Sequence, residues 1–330
     1  MKLNTKSPVF WPLVGLAGLL LLNVVFIPGF LRIGMLDGHI FGSPVDILTH
    51  GSRTMLVALG MTLVIATGGI DLSVGSVVAI AGAVCAVLLK GGSSLAVTLA
   101  AATGAGLLAG SVNGLLVARV GVQPIVATLI LMVAGRGVAQ LIADGQVIII
   151  ARSSFEFLAN GFVLGLPVAP LLVGALFLAA HFALRRTALG LFIEAVGDNE
   201  TASRFAGLAA ARIKAFAYVF CGGCAGLAGV LTASNIRAAD AYRSGENMEL
   251  DAIFAVVVGG TALTGGRFVI LGTVVGALLI QTLTTTMYNI GVSPAVALMP
   301  KALLIVGVSL LQSEKVGRWL GGLWRKKAAT

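Results

Sequence analysis

Ten stretches of this 330-residue chain, each 15 to 23 residues long, are almost purely apolar. They run over 9–31, 54–70, 72–89, 95–117, 124–142, 162–183, 215–234, 250–264, 268–289 and 295–312. A helix of about 20 apolar residues spans the hydrocarbon core of a bilayer. In lipid only helices and closed barrels satisfy their own backbone groups, and these runs lack the apolar–polar alternation of barrel strands. The expected fold is an all-α polytopic membrane protein of about ten transmembrane helices, one domain over residues 1–330. Composition agrees, with 58% hydrophobic and 11% charged residues, where a soluble domain has roughly 45–50% and 25%. A mean hydropathy of +1.03 excludes a soluble enzyme, a disordered chain and a disulfide-stapled secreted domain.

The scarce charge reports topology. Lys and Arg (22) exceed Asp and Glu (13) for a net +9, and basic residues gather in cytoplasmic loops. With the N-terminus inside, the inner segments hold 14 of the 22 basic residues and the outer segments six, leaving Arg136 and Lys301 within spans. This predicts both termini cytoplasmic and no nucleic-acid partner. Lys2 and Lys6 precede the run 9–31, which is longer than the apolar core of a signal peptide, about 7–15 residues. That run is expected to remain as the first span.

Glycine is abundant at 44 residues, and small residues let helices approach closely in lipid. Two clusters interrupt apolar runs. One is Gly68-Gly69-Ile70-Asp71-Leu72-Ser73-Val74-Gly75, and the other is Gly259-Gly260-Thr261-Ala262-Leu263-Thr264-Gly265-Gly266. Each reads as a short helix, a polar glycine turn and a second helix, and Gly75-Ser76-Val77-Val78 echoes Gly272-Thr273-Val274-Val275. Paired glycine-interrupted segments in two halves point to a transport pathway; two tightly packed hairpins are the alternative. The broken-helix and pathway candidates are therefore Gly68, Gly69, Asp71, Ser73, Gly259, Gly260, Gly265 and Gly266, with Arg136 and Lys301 as intramembrane cations. Arg136 and Lys301 either pair with polar neighbours, line an aqueous cavity or snorkel to headgroups. Asp71 either caps the helix that follows or couples a proton or cation. Asn113, Gln140, Gln281, Thr284, Thr285 and Asn289 offer further polar lining.

Enzyme chemistry is not legible. No Lys follows a Gly, so there is no Walker A loop. Cys221-Gly222-Gly223-Cys224 has redox spacing without a βαβ setting, and His39, His50 and His181 are too scattered to complete a metal set. Small-residue helix packing accounts for the cysteine run, and neither metal nor cofactor is expected. The longest inner connection, 185–214, is more informative. Asn199 is placed to cap a short helix with Glu200 in its first turn. Ala202, Phe205 and Ala206 share a face, and Gly207 is placed to end it. Such a helix suits docking on a partner.

Four motifs now come together: Ala66-Thr67-Gly68-Gly69-Ile70-Asp71-Leu72-Ser73-Val74-Gly75-Ser76, the segment from Gln123 to Leu129, the Ala195-Val196-Gly197-Asp198-Asn199…Ala206-Gly207 loop, and the glycine turn 259–266. Over about residues 10–312 the chain resembles the permease subunits of bacterial pentose and hexose ABC importers, the ribose, xylose, arabinose and galactoside group. Residues 41–48 and 129–142 are most similar to the galactofuranose permeases within it. The resemblance implies an ABC-importer permease fold in the bacterial inner membrane, carrying a monosaccharide delivered by a periplasmic sugar-binding protein. It also implies a second permease subunit, identical or paralogous, and a cytoplasmic ABC ATPase that performs all hydrolysis. By the same resemblance, residues 194–207 form the helix seated in the ATPase, with Glu194, Gly197, Asn199, Ala202, Arg204 and Gly207 as coupling residues. Two rival readings remain: an ABC permease for another small solute such as branched-chain amino acids, and a proton-coupled secondary carrier using Asp71.

Overall fold

The computed structural model describes residues 9–36, 38–293, 296, 299–303 and 306–307. Its long elements are all helices. In chain order, α1 is Phe10–Phe26 and α2 is Ser43–Ala66. Then come α3, Val74–Lys90, and α4, Leu95–Leu115, which continues into a π-helical turn, Leu116–Val120. Next are α5, Pro124–Ile142, a short α6, Ser153–Asn160, and α7, Val168–Arg186. After α8, Ala188–Asp198, and α9, Glu200–Phe205, follow α10, Ala210–Ile236, α11, Met248–Val258, and α12, Ile270–Asn289. Six of these (α2, α4 with its π turn, α5, α7, α10 and α12) are long and apolar enough to cross a membrane, and α1 and α3 are apolar helices of 17 residues. The chain is thus an all-α, multi-pass membrane protein.

The centre of the bundle is α2, α3 and α10, all buried along most of their length, whereas α4, α5 and α7 leave their outer sides exposed. Glycine makes the central contact close. A Cβ on Gly106 of α4 would fall on the Gly222 carbonyl, and one on Gly222 of α10 would fall on the Gly106 carbonyl. This close crossing explains the Cys221–Cys224 run: both thiols are free and buried beside the packing glycines. Three small antiparallel strand pairs lie in the connections between helices. Gly34–Leu36 pairs with His39–Phe41, Ile148–Ile149 with Ala238–Ala239, and Phe162–Val163 with Leu166–Pro167.

Several predicted boundaries move, for a common reason. The expected span 54–70 begins instead at Ser43, where Gly42 and Pro44 set the start, so α2 is a full 24-residue helix rather than a short one. Its first turns carry Asp46, Thr49, His50, Ser52 and Arg53. Thr49 and Ser52 return their hydroxyls to the carbonyls of Val45 and Leu48, Ser52 is buried, and His50 and Arg53 line a cavity, so charge there does not end the helix. The run 162–183 starts as a strand pair and becomes helix only at Val168. The run 250–264 is helical only over Met248–Val258, because Gly260 adopts a left-handed backbone, φ +92°. The connection 185–214 holds two helices and the first turn of α10. The predicted span 295–312 lies mostly outside the described residues.

Candidate functional site

At the end of the bundle where α2 stops, three backbone segments meet without side chains between them. The Ala66 carbonyl accepts the Gly266 N–H at 2.9 Å. A Cβ on Gly197 of α8 would fall inside that carbonyl and 2.5 Å from the Gly266 nitrogen. A Cβ on Gly265 would meet the Gly197 carbonyl at 2.8 Å and the Gly68 nitrogen at 2.9 Å. Gly68, Gly265 and Gly266 have φ of +78°, +87° and +87°, in the left-handed region that glycine adopts freely. The structure therefore brings both glycine turns and the long connection into one joint, an arrangement absent from any local pattern. Glu194 adds a second tie: it lies 3.6 Å from Arg185, which donates to the Phe268 carbonyl at 2.9 Å. Gly259 serves a different contact, crossing Gly272 at the start of α12.

The helix beyond the joint is built as its sequence dictates. Asn199 Oδ1 accepts the Ala202 N–H at 2.9 Å as the N-cap. At the other end Gly207, φ +85°, donates to the Arg204 carbonyl while Leu208 donates to that of Ser203, a glycine C-cap with both bonds made. Ala202, Arg204, Phe205 and Ala206 are exposed, Phe205 to 89%. Glu200 accepts from Arg204 at 2.6 Å and is also paired with Lys214. Partial burial alone would raise this carboxyl, but the hydrogen bonds and charges of Lys214 and Arg204 outweigh it and hold the group below the usual glutamate range. A carboxyl depressed in the folded state contributes stability above its unfolded pKa, and that contribution is lost as pH falls through the folded one. Acidification below the ordinary glutamate range should therefore loosen α9. Hydrogen exchange at residues 200–206, corrected for intrinsic rate, should accelerate there; a pH-independent rate would count against the ion-pair role.

Asp71 sits in a buried polar knot. Its Oδ1 accepts the Ser73 N–H at 2.9 Å and the Ser73 hydroxyl at 2.6 Å, and Asn113 Nδ2 donates to Ser73 Oγ at 2.9 Å. The expected cap on the next helix is corrected here. The α3 helix starts at Val74 with no side-chain cap, and the carboxylate instead closes the turn one step earlier. Thr128 of α5 donates to the Ile70 carbonyl at 3.3 Å, and Gly69 leaves room for the Tyr218 hydroxyl of α10. The knot thus fastens the 67–73 turn to α4, α5 and α10.

The two intramembrane cations are both engaged. Arg136 of α5 donates to the carbonyls of Ser244, at 2.6 Å, and Ala241, at 3.2 Å. It thereby holds the segment between α10 and α11, and it lines a cavity of about 490 Å³ with Gln140, Glu246, Asn247 and Glu249. Lys301 is nearly buried and its Nζ lies 2.9 Å from both carboxylate oxygens of Asp251 in α11. Sequence reasoning missed Asp251, Glu246 and Glu249. Asp251 carried a signal, an acid just inside a predicted span, but its partner lies 50 residues away.

Comparisons with known proteins agree with this picture. The family model for the permease component of branched-chain amino acid transport systems matches residues 43–309. The galactofuranose transporter permease protein YtfT of Escherichia coli K12 is 48% identical over 311 residues, covering 92% of this chain and 91% of that protein. The fructose import permease protein FruF of Bifidobacterium longum is 34% identical, with 99% and 94% covered. The ribose import permease protein RbsC of Escherichia coli K12 is 39% identical, with 82% and 85% covered. No solved structure matches the chain. Matched over most of its length, the chain belongs to this family of ABC-transporter permease subunits and is a membrane-spanning transport component, not an enzyme.

Proposed function

We propose that the chain forms the translocation pathway of an ATP-driven monosaccharide importer in a bacterial inner membrane. Ten crossings, including two glycine-interrupted hairpins, place both termini in the cytoplasm, with α8 and α9 docking on a separate ATPase. The observation that carries this reading is the joint of Ala66, Gly197 and Gly266, which couples the exposed α8–α9 segment directly to both glycine turns. Arg185 and Arg186 in the last turn of α7, Arg204 in the last turn of α9, Arg212 and Lys214 in the opening turns of α10, and Arg267 beside the second glycine turn concentrate basic charge in the segments that flank this joint, which supports a cytoplasmic face there. A sugar as cargo is supported by three relatives whose names specify galactofuranose, fructose and ribose, and a periplasmic binding protein delivers it.

A second permease subunit covers the Arg136 cavity. The flank of α5 beside it exposes Ile130, Val133 and Leu141, while Arg136, Glu246 and Glu249 line the opening. Charge open to hydrocarbon is costly, so a facing protein surface is the stable arrangement.

The docking assignment is tested by co-purification. Arg204→Glu reverses the exposed charge of α9, and Gly207→Trp strains its C-cap. Both variants should insert normally and lose the ATPase by tenfold or more. Retention of the ATPase by both would overturn the assignment. Uptake of labelled sugars unaffected by excess leucine separates the sugar reading from the amino-acid one suggested by the family's description.

A further inference from the structure

A second cavity, of about 350 Å³, opens beside the first half of α2, away from the joint at Ala66. Helix α2 supplies His50 and Arg53, the segment after α10 supplies Asp240, Arg243 and Glu246, and α12 supplies Gln281. Arg53 contacts His50 Nδ1 at 3.1 Å, and among the described residues neither Arg53 nor Arg243 stands in an ion pair. Asp240 is held in place by the N–H groups of Tyr242 and Arg243, both on Oδ1 at 2.9 and 3.1 Å. Its other oxygen has no bond among those described. Gln281 is set close against α2 because Gly51 leaves the space, a Cβ there meeting Gln281 Cγ at 3.3 Å.

Guanidinium donors, carboxylate acceptors and an amide thus face one space of a size that suits a small ligand. An anion would meet Asp240 and Glu246, and a cation would meet Arg53 and Arg243. A neutral ring with adjacent hydroxyls satisfies both sets, since each hydroxyl accepts from a guanidinium and donates to a carboxylate. We propose that this chamber is a monosaccharide-binding site in the permease itself, with Arg53 and Asp240 as its specificity-determining residues. The proposal rests on the importer reading above and deepens it: the permease selects its sugar a second time, after the binding protein. The chamber is also placed to report occupancy. Arg53 and Ala66 lie 13 residues apart on α2, about 20 Å along one continuous helix, and the Ala66 carbonyl belongs to the joint with α8.

The test is equilibrium binding to the full-length chain in lipid nanodiscs, without binding protein or ATPase. The probes are labelled D-galactose, D-ribose, D-fructose and L-leucine. One sugar should bind saturably, one per chain. Arg53→Gln and Asp240→Asn should each weaken that binding at least tenfold, with unchanged thermal melting showing that they fold. Lys90→Gln, at the rim of a separate cavity, should leave it unchanged. The proposal is overturned if no sugar binds saturably, if both chamber variants bind like the parent chain, or if leucine alone binds. Sugar uptake by the complete transporter is measured alongside. Uptake without chamber binding removes this proposal only, whereas loss of every sugar uptake in the parent transporter removes the importer reading beneath it.

Discussion

Replacing Gly197 with valine should reduce ATP-driven uptake at least tenfold while leaving the chain inserted and its ATPase bound. The added Cβ falls inside the Ala66 carbonyl, with the Gly266 nitrogen and the Ala66 carbonyl carbon at 2.5 and 2.9 Å. All three obstacles are backbone, so no rotamer change relieves the overlap. Overpacking of this kind costs about 1–3 kcal/mol. Relief by parting the segments breaks the bond from Gly266 to Ala66, and a buried unpaired donor or acceptor costs a further ~1–3 kcal/mol. The outer surface of α9, with Arg204 and Phe205, is untouched, so the ATPase should still co-purify while its movement no longer reaches the glycine turns. Gly207→Ala is the milder comparison. Its Cβ meets nothing within 4 Å, leaving only the left-handed backbone penalty of about 1–2 kcal/mol. Uptake by Gly197→Val at the parent rate would show that the joint is not the coupling element.

Lys301→Met should be the most destabilising single change among the charged residues, and Asp251→Leu combined with it should restore most of the loss. Lys301 is 8% exposed and contacts both oxygens of Asp251. Removing one member of a buried pair leaves an uncompensated charge and costs about 3–5 kcal/mol. Replacing both by apolar side chains of similar size is neutral or favourable by roughly 1–4 kcal/mol. The temperature of half-loss of folded protein in detergent, read by size-exclusion after heating, should drop sharply for the single variant and recover in the double one. Equal losses in the two would mean that packing, rather than charge pairing, holds the helical residues 299–303 to α11.

What was legible in the sequence was local. The cap at Asn199 and the stop at Gly207 were readable because a cap acts within three or four residues. Asp71 was readable as a cap of the helix that follows, but its carboxylate closes the preceding turn on Ser73 instead, since one residue of difference in the start of α3 decides which N–H it meets. The opening turns of α2 were misread as a connection. Polar and charged residues there signal a loop when lipid is the assumed neighbour, whereas His50 and Arg53 are at home lining a polar cavity.

By itself the sequence determined that this chain lives in lipid and that it does so as helices. Both follow from terms that add residue by residue: apolar transfer along each run, and the need of every buried peptide group for a partner inside its own helix. Only the tertiary structure decided what the scarce polar residues do. Lys301 finds Asp251 across 50 residues, Arg136 reaches Ser244 across 108, and glycines from two distant turns and from α8 close one joint. Charge pairing and backbone contact depend on distance in space, which the order of residues along the chain does not specify.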